Sequence, residues 1–191
     1  MLPATHQVAS KLHLPRGFSL FELLVVMCIA GILTSIAVPS YRYVTTSNRI
    51  AAEINGLLGD LQYARSEAIK EGQNVTVCVS MDHQTCATTT YTWASGWIVT
   101  NAPTSTTILP MRIQTTFTGT DTLTPNPNFT SIVFNREGFA TVNSASATNG
   151  AFLSLHATPA TTTSTRCLSL TIVGLMTVLT YNAQDNGNTC T

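Results

Sequence analysis

The sequence predicts an α+β protein in which one long N-terminal helix packs on a C-terminal antiparallel β-sandwich. Three observations predict this class: an apolar run near the N-terminus, an amphipathic stretch directly after it, and a succession of short runs in which apolar and polar residues alternate. We therefore divide the 191 residues into an N-terminal segment (1–17), a helix (18–72) and a β-rich domain (73–191).

The first part of the helix is long and apolar enough to cross a membrane. Residues 18–38 contain a single charged side chain, Glu22. At about 1.5 Å rise per residue, this run reaches roughly 30 Å, the thickness of the hydrocarbon core of a bilayer. Pro39 follows the run and removes one backbone donor, which predicts a kink where the helix leaves the membrane.

Glu22 distinguishes this run from simpler membrane segments. Two simpler interpretations compete with a specialised role: a secretory signal with a small-x-small cleavage site at 35–37, and a plain single-pass anchor. Neither gives Glu22 a function, although an acidic side chain at the centre of a membrane costs about 2.5–3.5 kcal/mol. A plain anchor also leaves the amphipathic stretch beyond Pro39 unexplained. Glu22 is therefore a candidate functional residue.

The second part of the helix is amphipathic, because apolar residues recur every three or four positions. Gly72 then fits the residue that ends a helix. The predicted buried face consists of Ile50, Ile54, Leu57, Leu58, Leu61, Ala64, Ala68 and Ile69.

Candidate strands follow Gly72 as short runs separated by turn residues. Their bounds are 74–80, 93–100, 108–114, 130–135, 139–142, 151–156, 167–173 and 175–181. Glu137-Gly138 and Val173-Gly174 predict hairpin turns. The threonine-rich stretch 157–165 predicts an exposed loop, and the whole set of strands predicts two sheets packed on the helix.

The cysteines predict disulfides in a translocated domain. Cys28 lies inside the apolar run, and we interpret it as a small apolar residue that packs there. Cys78, Cys86, Cys167 and Cys190 are an even set, which allows three pairings. We favour Cys78 with Cys86 and Cys167 with Cys190, because each pair closes a local loop. A metal site is not predicted, since no Cys-x-x-Cys pair occurs.

The composition argues against nucleic-acid binding and catalysis. Charged residues make up 9% of the chain and the net charge is zero. Beyond Gly72 there is no lysine, so the basic footprint of a nucleic-acid-binding domain is missing. The sequence also lacks a Gly-x-Ser-x-Gly motif and a phosphate-binding loop. His83 and His156 lie near serines, but we interpret them as surface histidines or as histidines whose hydrogen bonds are satisfied within the fold. We expect no enzyme activity and no cofactor.

The segment from Arg16 to Glu22, Arg-Gly-Phe-Ser-Leu-Phe-Glu, resembles the processing site of type IV prepilins and type II secretion pseudopilins. The resemblance implies that residues 1–17 are a leader, that a prepilin peptidase cuts between Gly17 and Phe18, and that Phe18 is then N-methylated. It also implies that Glu22 sets the register between subunits. The new amine at Phe18 is a cation one helical turn before Glu22, so Glu22 of one subunit can meet the amine of its neighbour.

Three further features resemble the FimT/FimU and GspH minor pilins and pseudopilins. They are the run from Val75 to Cys86, the motif Trp93-x-x-Gly96-Trp97, and Phe134-x-x-x-Gly138 followed by the arm from Cys167 to Cys190. The resemblance implies a pilin-like fold of the GspH type, with the helix against two β-sheets. It also implies a place among the few subunits that prime or cap a filament.

One position departs from the members of this group that capture DNA, which carry Gly-Arg-x-Arg in the last hairpin. Here the hairpin reads Gly174-Leu175-Met176-Thr177, so both arginines are missing. Phosphate binding needs cations, and we therefore do not expect nucleic acid as a partner.

The leading hypothesis is a minor pilin of a type IV pilus, and the alternatives are a minor pseudopilin of type II secretion or a DNA-uptake pilin. The expected partners are the prepilin peptidase, other minor pilins, the major pilin and the inner membrane. Lys11 and Arg16 before the apolar run favour a cytoplasmic N-terminus, although Arg42 and Arg49 after it weaken this asymmetry. We expect a single-pass inner-membrane protein with a periplasmic domain, which moves to the extracellular pilus on assembly.

Overall fold

The computed structural model describes residues 17–89, 92–103, 109–117, 119–143, 151–158, 164–185 and 187–191. The leader residues 1–16, with Lys11 and Arg16, lie outside the described residues. So do Ile108 of one predicted strand and residues 159–163 of the predicted exposed loop.

The chain forms two compact units, which divide inside helix α1 (Leu20–Glu71), between Arg42 and Tyr43. Helix residues from Tyr43 onward belong to the same unit as the sheets. The sequence-based division instead places the whole helix in one part, because it separates elements by type and not by contact. The helix continues through Pro39, and the kink expected there stays a prediction.

The first unit, in its described part, is the N-terminal portion of α1 with the residues that precede it. Every described residue from Gly17 to Arg42 is exposed. This is the one helix in the described residues that is long and apolar enough to span a membrane.

The second unit contains a five-stranded and a four-stranded antiparallel sheet, together with a two-stranded one. The five-stranded sheet has the order β3-β2-β1-β5-β6, with β1 (Val75–Val79), β2 (Trp97–Thr100), β3 (Arg112–Gln114), β5 (Ser131–Phe134) and β6 (Ala140–Val142). The four-stranded sheet has the order β4-β7-β8-β9, with β4 (Thr122–Asn126), β7 (Ala151–His156), β8 (Arg166–Leu170) and β9 (Met176–Thr180). The small sheet pairs β10 (Gln184–Asp185) with β11 (Asn188–Thr189).

One cluster of buried side chains joins the helix to both larger sheets. Six of the eight helix residues predicted to be buried are fully buried, whereas Leu58 is half-buried and Ile69 is 51% exposed. The cluster includes Ile54, Leu57 and Leu61 from α1, Val77, Val99 and Ile132 from the five-stranded sheet, and Leu153, Leu155 and Leu168 from the four-stranded sheet. The predicted fold class is confirmed.

Several details of the predicted strands are wrong. The run 93–100 is not one strand, because Trp93–Ser95 forms a 3-10 turn and only Trp97–Thr100 is extended. Gly96 separates them at a φ of 107°, and a Cβ on this residue would collide with the carbonyl oxygen of Gln114. The described part of the run 108–114 is a strand only from Arg112 onward.

Three strands were missed: β4, β10 and β11. The last two have two residues each, too few to show an alternation. The predicted hairpin turns lie where expected, but they are longer loops, 135–139 and 171–175. In each predicted turn dipeptide only the glycine, Gly138 in the first and Gly174 in the second, has a positive φ.

Candidate functional site

The predicted cleavage bond, between Gly17 and Phe18, lies two residues before the helix begins at Leu20. Gly17, Phe18 and Ser19 precede the helix, and the Ser19 carbonyl oxygen accepts the N–H of Leu23 at 3.1 Å. The Phe18 side chain is 74% exposed, and nothing lies within 4 Å of the point where a Gly17 side chain would begin. The bond between Gly17 and Phe18 is therefore in non-helical, accessible backbone, as a peptidase substrate requires.

Glu22 lies in the first turn of α1, where unpaired backbone N–H groups favour a carboxylate. Phe18 and Glu22 are four residues apart, and both are exposed. The structure thus places the predicted new amine and the predicted register residue at the same end of the helix.

The apolar side chains of the first unit are exposed. Within the helix, Thr34 and Ser35 donate their hydroxyl groups to carbonyl oxygens of the helix itself. Thr34 Oγ1 lies 2.9 Å from the oxygen of Ala30 and 3.0 Å from that of Gly31, and Ser35 Oγ lies 2.7 Å from that of Ile32. Because these hydroxyls are satisfied within the helix, this surface can enter lipid or pack on other apolar helices.

The first disulfide fastens a loop to the five-stranded sheet. Cys78 bonds to Cys86, and both pack with Ile98 on the face of the sheet that lies opposite the main core. Asp82 organises the loop between them, because its carboxylate accepts the N–H groups of Gln84 at 2.9 Å and Thr85 at 2.8 Å. These hydrogen bonds, with that from the Thr85 hydroxyl, hold the pKa of Asp82 well below its usual range.

The second disulfide fastens the C-terminal arm to the four-stranded sheet. Cys167 in β8 bonds to Cys190, and the two pack with Phe152 and Leu179 in a small separate cluster. Both disulfides are the local pairings favoured from the sequence. The remaining cysteine, Cys28, is exposed on the first unit.

Arg65 of α1 joins the two larger sheets at their hairpin loops. Its Nε donates to the Gly138 carbonyl oxygen at 3.1 Å, in the β5–β6 loop. Its Nη1 donates to the carbonyl oxygen of Gly174 at 3.0 Å and its Nη2 to that of Val173 at 3.1 Å, both in the β8–β9 loop. Sequence analysis missed this residue, since its partners lie 73, 109 and 108 positions away.

The β8–β9 loop is also the position that departs from the DNA-capturing members. Leu175, in place of the first arginine, is 60% exposed, and the preceding Val173 is 57% exposed. Arg65 contacts this loop, but its guanidinium is already engaged by three carbonyl oxygens. The loop therefore presents an apolar surface.

Arg49 and Glu53 of α1 lie near Asp121, the residue before β4, and the three form a group of two carboxylates and one guanidinium. Arg49 donates to both carboxylate oxygens of Asp121 at 2.8 Å, and Asp121 also accepts the N–H of Thr158 at 3.0 Å. Glu53 lies one turn after Arg49, and its Oε2 is buried without a hydrogen-bond partner among the described residues. Burial, and next the charge of Asp121, raise the pKa of Glu53 to about 7, although Arg49 opposes the rise.

The described residues contain no group of three or more His, Cys, Asp or Glu side chains that could hold a metal ion. The two histidines that could suggest a hydrolase, His83 and His156, lie in different elements of the fold. His83 lies in the loop that Cys86 closes, and His156 ends β7 with its Nδ1 3.5 Å from the Thr165 hydroxyl.

Comparisons with known proteins match this architecture. The model of the family described as type II transport protein GspH matches residues 53–175, from the amphipathic part of α1 to the start of β9. Two curated proteins, both called fimbrial protein and both from Pseudomonas aeruginosa, are 35% identical over 60 residues, or 31% of this chain. The chain spans 38% of the length of these relatives.

Solved structures show the same fold at low identity. The type IV minor pilin FimU of Pseudomonas aeruginosa superposes with a TM-score of 0.54 at 18% identity, covering 74% of this chain and 92% of that one. EpsH, a minor pseudopilin from the type 2 secretion system of Vibrio cholerae, superposes with a TM-score of 0.50 at 14% identity, covering 69% of this chain and 97% of that one.

Proposed function

This chain belongs to the GspH family of type II transport proteins, and from this membership we propose that it is a minor pilin that primes or caps a type IV pilus. It enters the inner membrane by its apolar helix and is cleaved between Gly17 and Phe18. After N-methylation of Phe18 it is extracted into the filament, where it contacts other minor pilins and the major pilin. The prepilin peptidase is its processing partner.

One observation carries this proposal: the exposed apolar part of α1 begins two residues after the predicted cleavage bond and carries its single acid, Glu22, in the first turn. A pure anchor gains nothing from that acid, whereas a filament subunit uses it to meet the amine of a neighbour. Apolar association alone is insensitive to sliding along the helix axis. A buried ion pair penalises every register in which the charges do not meet.

The experiment is the intact mass and N-terminal sequence of the protein recovered from sheared filaments. We expect a chain that begins at N-methylated Phe18. The matched control is Gly17→Leu, which blocks the cut, retains the leader and is absent from filaments. Wild-type protein that keeps residues 1–17 while the filaments are otherwise complete contradicts the proposal. A chain that begins at Val38 supports a secretory signal.

A minor pseudopilin of type II secretion is the second candidate, favoured by the likeness to EpsH. The two functions share the fold and the processing chemistry, so the distinguishing measurement is the phenotype of a deletion. Fewer surface pili with normal secretion supports the pilus. Normal piliation with secreted enzymes retained in the periplasm supports the pseudopilus.

DNA uptake is less favoured, because Leu175 and Thr177 occupy the hairpin positions of the two missing arginines. Gel shifts with the full chain in detergent test this point. We expect no salt-sensitive binding in the micromolar range. We assign no catalytic residue and no cofactor, since the members of this family are structural subunits.

A further inference from the structure

The strand β9 is an open edge of the four-stranded sheet, and it differs from the other outer strands of the two larger sheets. Exposed edges are usually protected by prolines, charges or covering segments, because a free edge pairs readily with other strands. In β4 the edge carries Pro125. In β6 the N–H of Ala140 is taken by the carbonyl oxygen of Ile172 at 2.8 Å. The third edge, β3, has three residues and carries Arg112.

Among the residues that the structure describes, β9 has none of these protections along its five residues, Met-Thr-Val-Leu-Thr. It contains no charged residue, no proline and no glycine. A proline, an engaged N–H group, a short strand and a charged residue each act against strand pairing. Their absence from β9 fits an edge that is covered when the protein works.

The register shows which backbone groups of β9 face outward. The N–H of Thr171 donates to the carbonyl oxygen of Leu175 at 2.9 Å, and this pair continues the β8–β9 register. Hydrogen-bonded and non-hydrogen-bonded pairs alternate along an antiparallel ladder. Thr177 therefore bonds to β8, whereas Met176 and Val178 direct their N–H and C=O groups to the open side. Within the described part of the chain, no hydrogen bond reaches those groups.

A groove adjoins the start of this edge. It has a volume of about 390 Å³ and lies between the exposed side of α1 and the β8–β9 loop. Leu175, 60% exposed, and Ile69, 51% exposed, line it with the polar Gln62 and Ser66. The groove can take an apolar side chain from a strand that pairs with β9.

The chemistry of this surface limits what can bind. Alternating outward N–H and C=O groups are matched by another extended backbone. Nucleic acid or another polyanion is not matched, because the guanidinium of Arg65 beside the groove is engaged by three carbonyl oxygens. A second copy that pairs through its own β9 about Val178 places Thr180 beside Met176. The residue that this pairing brings to the start of the groove is therefore polar.

We infer that β9 accepts an extended, uncharged segment of a different pilin-like subunit, which adds a fifth strand to the four-stranded sheet and places an apolar side chain in the groove. This inference rests on the proposed function, because only a filament brings such subunits together. It identifies the surface by which the domain contacts its neighbour, in addition to the helix.

The experiment is photocrosslinking in cells that assemble filaments, with p-benzoylphenylalanine at Thr177 of the full chain. Thr177 is exposed at the middle of the β9 edge. The matched control is the same label at Thr124, which is exposed in the middle of the β4 edge beside Pro125. We expect an adduct at Thr177, identified by mass spectrometry as a peptide of another pilin, and at least about tenfold less adduct at Thr124.

Two variants test whether the backbone is the binding element. Val178→Pro removes an outward donor and leaves the β8 ladder intact, whereas Val178→Thr retains that donor. Val178→Pro should reduce the Thr177 adduct by about fivefold or more, the factor for one lost hydrogen bond, and Val178→Thr should retain it. Resistance to protease compares the folding of the variants. If Val178→Pro does not fold, the exposed substitution Thr177→Lys with the label at Thr180 replaces it, with the same expected loss.

Recovery of the chain in sheared filaments separates failure of this inference from failure of the proposed function. A chain present in filaments that gives no adduct, or an adduct insensitive to the substitutions, overturns the strand addition alone. An adduct made only with a second copy of this chain also overturns it. A chain that never enters filaments contradicts the proposed function itself.

Discussion

The two units of this chain use apolar side chains in opposite ways. From Gly17 to Arg42 every described residue is exposed, including the whole apolar run 18–38. From Tyr43 onward, one buried cluster joins the helix to both larger sheets. The same helix carries both patterns. The first unit therefore leaves its apolar side chains available to lipid or to other apolar surfaces, whereas the second packs against itself.

The sharpest test of this difference is one substitution made in both units. Leu61→Ala removes a side chain that is 0% exposed and leaves a cavity between α1 and the sheets. We expect the free energy of unfolding to fall by about 2–5 kcal/mol. Leu33→Ala, at a residue that is 62% exposed, should change it by less than about 0.5 kcal/mol.

Thermal and denaturant unfolding of the full chain in detergent measures both effects. The fluorescence of Trp93 and Trp97 reports on the domain, because both are buried in the second unit. Equal losses from the two variants contradict the division between the units.

The sequence predicted the helix and its buried face well, because these depend on local periodicity. Ile50, Ile54, Leu57 and Leu61 satisfy the spacing of a helix and are buried as expected. The strand β4 was missed because its residues Thr-Leu-Thr-Pro-Asn include a proline. An edge strand tolerates proline, but a pattern of residues cannot show that a strand will lie at an edge.

The contacts that join the elements could not be predicted, because they link residues far apart in the chain. Asp121 lies 72 residues from Arg49, and neither has a neighbouring motif that specifies the pair. The cleavage bond and the role of Glu22 stay predictions, and they rest on the opposite kind of signal. Their chemistry requires residue types at fixed short spacings, which a resemblance of seven residues already contains.

Arg65 provides the second-largest expected effect in the domain. Arg65→Met keeps most of the side-chain length and removes three hydrogen bonds to loop carbonyl oxygens. We expect a loss of about 2 kcal/mol in the free energy of unfolding, because the carbonyl oxygens of a partly buried loop lose their donor. Arg136→Met is the control, since Arg136 is exposed and its guanidinium pairs with the adjacent Glu137.

The variant also tests whether the two sheets depend on this arginine. If Arg65→Met unfolds in the same way as wild type and Arg136→Met, the guanidinium does not hold the two loops together. Hydrogen exchange of the amides of Gly138 and Gly174 should rise in Arg65→Met alone.

Glu53 gives a smaller effect that depends on pH. Its folded pKa of about 7 lies above its ordinary value of 4.5, so the folded state holds a proton more tightly than the unfolded state. The contribution to stability is therefore complete below pH 4.5 and is lost as the pH rises through 7. Glu53→Gln resembles the protonated side chain at every pH. It should exceed wild type by about 1–2 kcal/mol at high pH and gain little at low pH.

The measurement is the difference in unfolding free energy between Glu53→Gln and wild type at pH 4.5 and at pH 8. Taking this difference cancels the pH-dependent contributions of all other titratable groups, because the two proteins share them. A difference that stays constant with pH shows that burial does not keep Glu53 protonated.

Glu22→Ala has the smallest expected effect on the domain and tests the other half of the comparison. Glu22 lies in the first turn of the exposed unit, so its loss should change the unfolding free energy by less than about 0.5 kcal/mol. Membrane insertion and cleavage after Gly17 should also continue, because a helix without this acid is more apolar. Incorporation into filaments should fall at least about tenfold. This factor corresponds to a loss of roughly 1.4 kcal/mol of interaction free energy between the carboxylate and the amine of a neighbouring subunit.

Glu71→Ala is the matched control, because it removes one exposed carboxylate from the other end of the same helix. It should enter filaments as wild type does. Quantitative blots of sheared filaments and of membranes compare the two variants. If Glu22→Ala enters filaments as efficiently as Glu71→Ala, the acid does not set the register. The first unit then associates through apolar contacts alone, and the exposed helix needs no charge to align its neighbours.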